Sequence, residues 1–573
     1  MGNRGVHKGE PWKRWQRSAR LALAGACLSL WALVAACSAP APPPIERGTF
    51  EPPLVRLQQL VGASDHLHVD EVRYRESDAR LFHCSYTFGV IDARDPERML
   101  YLAQNLRHKI PGDERSPGCI HLAWDGDVVY TVHRGNVDNP AFLSGWVLEP
   151  DPADPQKLTP VQLPVVQEPG VSYEGLDTAN GYIYVAQRQK GLAVYRRDVR
   201  NRFIRVGTFS DLNNAWGVRV RGTTAFVSDG LAGLAIVDVA DPKRPALLGR
   251  AMTGGQARGL VVDGHTAYVA AGSAGLVVVD ITSLTDPRVI GKAAMPGSAV
   301  RVDYSGGRVY VAAWNDARVY DVTTPASPRF IGAVRMTRDI SGQGGRGARG
   351  ARGGRGTQAA QGEEGDQPAR GRQSAPRVSA ALRQPDAEGL LEDGRPPVTS
   401  RTLGVAARGD VMFVGNWHVI YSYRVFPDRK APGLLLPEEI NLVDFGPVAA
   451  GGSTTVPVRV TNQGTAPLTV FDAATSNPHF TVTPAEARIG PGEATTLSVT
   501  YKAASAEKES GILLIRSDDA DNAIRAGYLV ANQSGLGVGK PLPDTTVNLV
   551  DGGQWSSSEA KGKVTLLAYF ATF

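Results

Sequence analysis

Few groups in this 573-residue sequence are of the types that do chemistry, and their spacing limits what they can do. There are four cysteines, Cys27, Cys37, Cys84 and Cys119, and none stands in the paired Cys-x-x-Cys spacing of a zinc site or a dithiol redox centre. His66 and His68 would share one face of a strand, as two metal ligands do. No Cys, His or carboxylate cluster accompanies them, so they read as exposed edge histidines. Asp518, Asp519 and Asp521 offer oxygen ligands of the kind calcium takes. Arg346, Arg349, Arg352 and Arg355 recur at every third position of GGRGARGARGGRG, a pattern suited to phosphate contact. The sequence contains no nucleophile elbow, zinc spacing or phosphate loop, and its Ser, His and Asp residues fall at turns, where backbone capping accounts for them. No catalytic residue, metal site or cofactor is nominated.

The elements that would position such residues follow from a repeat. Tyr184, Phe226, Tyr268 and Tyr310 stand 42 residues apart, each opening an apolar run (IYVAQ, AFVSD, AYVAA, VYVAA). Gly191, Gly233 and Gly275 keep the same interval, as do Gly207, Gly249 and Gly291. Within ARGLVVDGHTAYVAAGSAGLVVVDITSLTDPRVIGKAAM four short β-rich runs are separated by Asp-Gly, Gly-Ser and Asp-Pro turns. One four-stranded antiparallel sheet per repeat, recurring about every 40 residues, predicts a ring of blades that cover one another's apolar faces.

GLAIVDVADPKRPALLG (Gly233 to Gly249) and GLVVVDITSLTDPRVIG (Gly275 to Gly291) resemble the LVIVD repeat, a β-propeller family of bacterial surface and envelope proteins. Weaker copies begin at Leu81, Val128 and Val411. The aromatics that open the second strands (Phe82, Tyr130, Tyr184, Phe226, Tyr268, Tyr310 and Phe413) predict about seven blades over residues 66–430. Leu67 to Tyr74 (LHVDEVRY) is read as the start of the ring.

Lys and Arg exceed Asp and Glu by five, but residues 1–36 hold six basic side chains against one acid, so the remainder is balanced and gives no reason to expect nucleic acid. That segment reads as an export signal, because its apolar run Leu21 to Ala36 has 16 residues where a membrane span needs about 20. Val34-Ala35-Ala36-Cys37 resembles the lipobox of bacterial lipoproteins, which implies a signal peptide over 1–36, lipidation of Cys37 and, with Ser38 following, an outer-membrane anchor. The alternatives are a plain membrane anchor or soluble secretion. Residues 37–65, which include PAPPPIERGTFEPP, read as a Pro-rich tether. Cys84 ends the second strand of the first blade and Cys119 begins the first strand of the next. An oxidising compartment makes a disulfide between them plausible, worth ~3 to 4 kcal/mol by the chain-entropy model, against two buried free thiols.

Tyr310 to Phe413 spans 103 residues where 42 are expected. Residues 337–400 supply the surplus: Gly/Arg-rich and without aromatic residues from Ser341 to Ser400, they read as a disordered insertion of the sixth blade. RNA binding would call for stacking aromatics, so an anionic envelope polymer is the better-suited ligand if the segment binds one.

Strands TVPVRVTN, PLTVFD, HFTVTP, TTLSVTY and GILLIRS over 437–531 predict one β-sandwich. Its Asp444-Phe445-Gly446, Thr461-Asn462-Gln463-Gly464 and Pro491-Gly492-Glu493 resemble the Hydin-type immunoglobulin-like domain. That family uses the module for structure or interaction and often has an acidic hairpin where Asp518 to Asp521 fall.

Residues 536–573 resemble the opening of a thioredoxin-like redoxin, through Val538-Gly539, Pro543-Asp544, Asp551-Gly552, Gly562-Lys563-Val564 and Tyr569 to Phe573. They read as the truncated start of an α/β domain whose reactive cysteine would come after that aromatic. The expectation is thus an all-β lipid-anchored envelope protein, non-enzymatic, binding a protein or polysaccharide. The alternative is a thiol-disulfide oxidoreductase or peroxiredoxin-like protein, should the chain continue past residue 573.

Overall fold

The computed structural model describes residues 48–61, 69–85, 87–110, 118–135, 140–335, 401–416, 419–436, 442–519, 523–532, 546–548, 554–556 and 558. Cys37, His66, His68, Asp521, the insertion 337–400 and most of 536–573 lie outside the described residues. The regular elements among the described residues are β-strands.

Seven sheets form the ring. Five are simple four-stranded meanders in sequence order: Glu71–Arg75 to Leu100–Leu106, Gly175–Ala179 to Phe203–Phe209, Gly217–Arg221 to Ala246–Ala251, Gly259–Asp263 to Arg288–Ala293, and Arg301–Ser305 to Arg329–Arg335. In the second blade Ala141–Pro150 is long enough to pair with both Leu158–Gln162 and Val166–Glu168, which is where the Pro/Asp-rich loop of the sequence goes. The seven first strands neighbour one another in order and the last meets the first, so the ring closes.

Closure comes from outside the predicted ring. Leu54–Val61, which the sequence places in the tether, pairs antiparallel with Val419–Val425 as the outermost strand of the seventh blade. The tether reading is therefore corrected over Leu54–Val61, and residues 62–65 lie outside the described residues. Leu54 is buried in the core between blades six and seven, and Leu60 packs against the core between blades seven and one.

The two glycine sets now have separate causes. Gly207, Gly249 and Gly291 sit at a β-bulge in the outer strand, and a Cβ there would lie 2.0, 2.5 and 2.5 Å from a carbonyl oxygen of the next blade's turn (Pro242, Leu284, Pro325). Gly191, Gly233 and Gly275 close the turn between second and third strands with φ of 85°, 82° and 77°. An Asp at or just past the end of the third strand caps the turn: Asp198, Asp238, Asp280 and Asp321 each accept a backbone N–H two residues on, at 2.8 to 2.9 Å.

Residues from Leu434 to Ala531 form the sandwich. One sheet orders Leu434–Leu435, Ser453–Asn462, Ala494–Lys502 and Phe480–Thr483; the other orders Leu442–Asp444, Ile524–Ala531, Glu509–Ser517, Leu468–Thr475 and Ala487–Ile489. Val458, Val460, Leu468, Val470, Phe480, Leu497, Leu513 and Ile515 fill the space between them. Asn462, fully buried, ties the entering chain to this core. Its Oδ1 accepts the N–H groups of Gly433 (3.1 Å) and Gly464 (2.9 Å), and its Nδ2 donates to the carbonyls of Ala466 (2.8 Å) and Ile489 (3.0 Å). Arg318 of the sixth blade is held by Asp316 at 2.8 Å and donates to Gln463 Oε1 of the sandwich at 3.2 Å, so the two domains share a buried polar contact. Thr546–Asn548 pairs antiparallel with Gln554–Ser556, and the expected Asp551-Gly552 turn lies outside the described residues.

Candidate functional site

Alternation along the seven first strands sorts their side chains. The second residue of each (Val72, Leu122, Leu176, Val218, Leu260, Val302, Val405) is buried, and each packs in the apolar clusters that fill the blades and the spaces between them. The first and third residues line the central channel in two tiers. The upper tier is Gly175, Gly217, Gly259 and Gly404 in four blades, but Glu71, His121 and Arg301 in the other three. At Gly217 and Gly259 a Cβ would stand 2.7 and 2.8 Å from a carbonyl oxygen of the following blade, so close approach excludes a side chain there.

The three charged residues of this tier meet. Arg301 Nε donates to Glu71 Oε2 at 2.7 Å, across the seventh blade where Gly404 leaves room, and His121 Nε2 lies 3.5 Å from the same oxygen. Burial, then the guanidinium groups of Arg301, Arg219 and Arg73, pushes His121 well below the usual imidazole range, so it is neutral.

The lower tier repeats the arrangement. Arg73 reaches Asp177, two blades away, at 3.9 Å past Ala123, and donates to the Leu122 carbonyl at 3.0 Å. Asp177 Oδ2 accepts the Val220 N–H at 2.9 Å, and Asp303 Oδ2 accepts that of Ala407 at 2.9 Å. Burial raises the Asp303 carboxyl above its ordinary value. Burial, then Arg73, lowers Arg219 to about 10. Between the tiers lies a cavity of about 80 Å³ whose charged lining is Glu71, Arg73, Arg219, Arg301 and Asp303.

Above the upper tier the channel opens among Arg134, Arg188, Arg258 and Trp216. Glu174, fully buried, takes Arg134 at 2.9 Å on one oxygen and Arg188 on the other. The guanidinium carbons of Arg188 and Arg258 lie 4.2 and 5.0 Å from the Trp216 ring centre. Burial lowers Arg258, and the like charges of Arg301, Arg134 and Arg188 add to the effect. Such a constellation suits recognition of anionic groups; it contains no nucleophile paired with a base.

Of the residues singled out in the sequence, Cys84 and Cys119 are joined as a disulfide with Cα atoms 5.0 Å apart, between the first and second blades. Asp518 accepts the Thr469 N–H (2.8 Å) and the Gly48 N–H (3.0 Å), and Asp519 that of Leu434 (2.7 Å), so both carboxylates bind backbone. The channel set was not anticipated. Its signal was present as a departure from the repeat: Glu71, His121 and Arg301 stand where four other blades have glycine.

Comparison with known proteins follows the same boundaries. The LVIVD repeat model matches residues 213–253, 254–294 and 296–336, which are the fourth, fifth and sixth blades. A model described as the HYDIN/CFA65/VesB-like Ig-like domain matches residues 439–526. None of the curated proteins compared matches the chain. Among solved structures it is similar to that of U3-55K (9% identity, covering 64% of this chain and 98% of that one, TM-score 0.41). It is also similar to the RRP9 WD40 repeats (9%, 65% and 99%, TM-score 0.42) and to the WD40 β-propeller domain of Doa1 (10%, 65% and 96%, TM-score 0.38). The chain is an all-β protein that carries LVIVD repeats in a propeller, followed by a HYDIN-like immunoglobulin-like domain.

Proposed function

We propose that this protein is a lipid-anchored component of a bacterial cell envelope, attached through Cys37 and placed at the outer membrane, whose propeller binds a protein or polysaccharide partner while the immunoglobulin-like domain serves as an interaction scaffold. The observation that carries the binding reading is the channel mouth, where Arg188 and Arg258 flank Trp216 and Arg134 shares Glu174 with Arg188. Aromatic and Arg side chains in a concave, partly desolvated site are the composition of binding hot spots. The anchor is supported by the basic segment, the 16-residue apolar run and Val34-Ala35-Ala36-Cys37. The redoxin-like opening belongs to the same proposal as an appended module, with the hairpin Thr546–Asn548/Gln554–Ser556 in its favour.

The experiment has two arms. Metabolic labelling with palmitate marks the wild-type protein, and Cys37→Ser abolishes the label; an unlabelled wild type removes the anchor. Purified protein titrated against envelope polysaccharide and protein fractions binds through the mouth, so Arg188→Glu with Arg258→Glu eliminates binding with the propeller still folded. Binding that survives the charge reversal places the partner elsewhere on the surface.

A further inference from the structure

The three guanidiniums of the channel, Arg73, Arg219 and Arg301, have three carboxylates around them but are unequally hydrogen-bonded. The carboxylates are all engaged: Glu71 by Arg301 and His121, Asp177 by the Val220 N–H and Arg73, Asp303 by the Ala407 N–H. Among the guanidiniums, Arg301 has Glu71 and Arg73 has Asp177. Arg219 is different: among the described residues its side chain donates only to its neighbour's carbonyl, Val218 O, at 3.0 Å. A guanidinium has five N–H donors in a planar fork, so most of those on Arg219 face the cavity without an acceptor. Gly217 and Gly259 also line this cavity, whose volume of about 80 Å³ has room for a few waters or a group of similar size.

We propose that this cavity binds a small oxyanion group, a carboxylate or a phosphate, held by Arg219 and Arg73 in the space that Gly217 and Gly259 also line. The inference rests on the binding reading of the propeller and names the chemistry of its ligand. A planar fork beside a second guanidinium fits the two oxygens of a carboxylate or two of those of a phosphate. The arginines at the mouth would draw the same charge inward. Arg73 and Arg219 repel each other; the carboxylates of Asp177, Glu71 and Asp303 oppose that repulsion, and an anion here would oppose it further.

The test is calorimetric titration of the full chain with sodium phosphate and, separately, sodium acetate, at fixed ionic strength against sodium chloride, with thermal unfolding in parallel. The expected result is saturable heat and a raised melting temperature with at least one of the two. Phosphate alone points to a phosphate-bearing ligand, acetate alone to a carboxylate, and both to an oxyanion group whatever carries it. Arg219→Gln weakens the interaction at least tenfold, and its anion-free melting transition, followed in parallel, shows that the variant is folded. Should that variant fail to fold, Arg219→Lys keeps the charge without the fork and binds several-fold more weakly than wild type. The proposal is overturned if neither anion exceeds chloride, or if a folded Arg219 variant binds as wild type does. In-cell crosslinking from the mouth is independent of this titration, so the ligand chemistry and the binding role fail separately.

Discussion

His83 supplies a prediction whose size follows from geometry. It is the residue before Cys84 at the end of the second strand of the first blade, is fully buried, and its Nε2 has no partner among the described residues; Ser85 Oγ lies 3.4 Å from Nδ1, and the Tyr101 ring packs edge-to-face with it at 6.0 Å. Gly89 makes space for it, since a Cβ there would stand 2.0 Å from the ring nitrogen. Burial pushes the imidazole from 6.5 down to about 3. The folded value lies below the unfolded one, so the unfolded chain binds the proton first as pH falls. The stability gained by keeping His83 neutral is complete above pH 6.5 and is lost progressively between 6.5 and about 3. At 1.36 kcal/mol per pKa unit, His83 alone costs about 2 kcal/mol at pH 5 and about 4 kcal/mol by pH 3. The assay is urea unfolding of the wild type and His83→Leu from pH 8 to pH 4.5 with the disulfide intact. His121, also shifted downward, is present in both proteins, so the difference between the two curves isolates His83. The variant should lose stability with falling pH less steeply by about one proton. Parallel curves would refute the argument, because they require an imidazole that protonates freely in the fold.

Glu71→Gln leaves Arg301 without its carboxylate and is expected to destabilise the propeller by about 3 kcal/mol in urea, while Glu71→Leu with Arg301→Leu restores most of the loss. Reducing Cys84–Cys119, or replacing both by Ser, should cost about 4 kcal/mol for a separation of 35 residues if chain entropy dominates. Unchanged urea midpoints would show that the blades hold without it. Asn462→Ala removes the hydrogen bonds that seat the chain at the entry of the sandwich, and should lower sandwich stability by about 3 kcal/mol without moving the transition of the propeller.

The blades were legible because each is local. The 42-residue spacing of Tyr184, Phe226, Tyr268 and Tyr310 reports strands that pair with their sequence neighbours, and the glycine sets report contacts that recur identically. Leu54–Val61 was not legible as a blade strand. Its partner Val419–Val425 lies more than 350 residues downstream, and pairing at that distance leaves no periodic trace. The same holds for Arg318 with Gln463. The channel was half-written: Glu71, His121 and Arg301 interrupt a glycine position, which a register-level alignment of the repeats exposes, but that Arg301 meets Glu71 follows only from ring closure between the sixth and first blades. Motif Thr461-Asn462-Gln463-Gly464 was recognised as a resemblance, and its cause appears in the buried amide of Asn462 and in Gly464, where a Cβ would lie 2.3 Å from the Ala431 carbonyl oxygen.

The central claim is that the channel mouth meets a partner in the envelope. A photo-crosslinking residue placed at Arg188, beside Trp216, in the full chain expressed in intact cells tests it directly, with the same residue at fully exposed Val199 as reference. The account predicts a discrete adduct from position 188, absent from position 199 and lost when Arg258→Glu and Arg134→Glu reverse the neighbouring charges. No adduct from the mouth, or the same adducts from both positions, would contradict it.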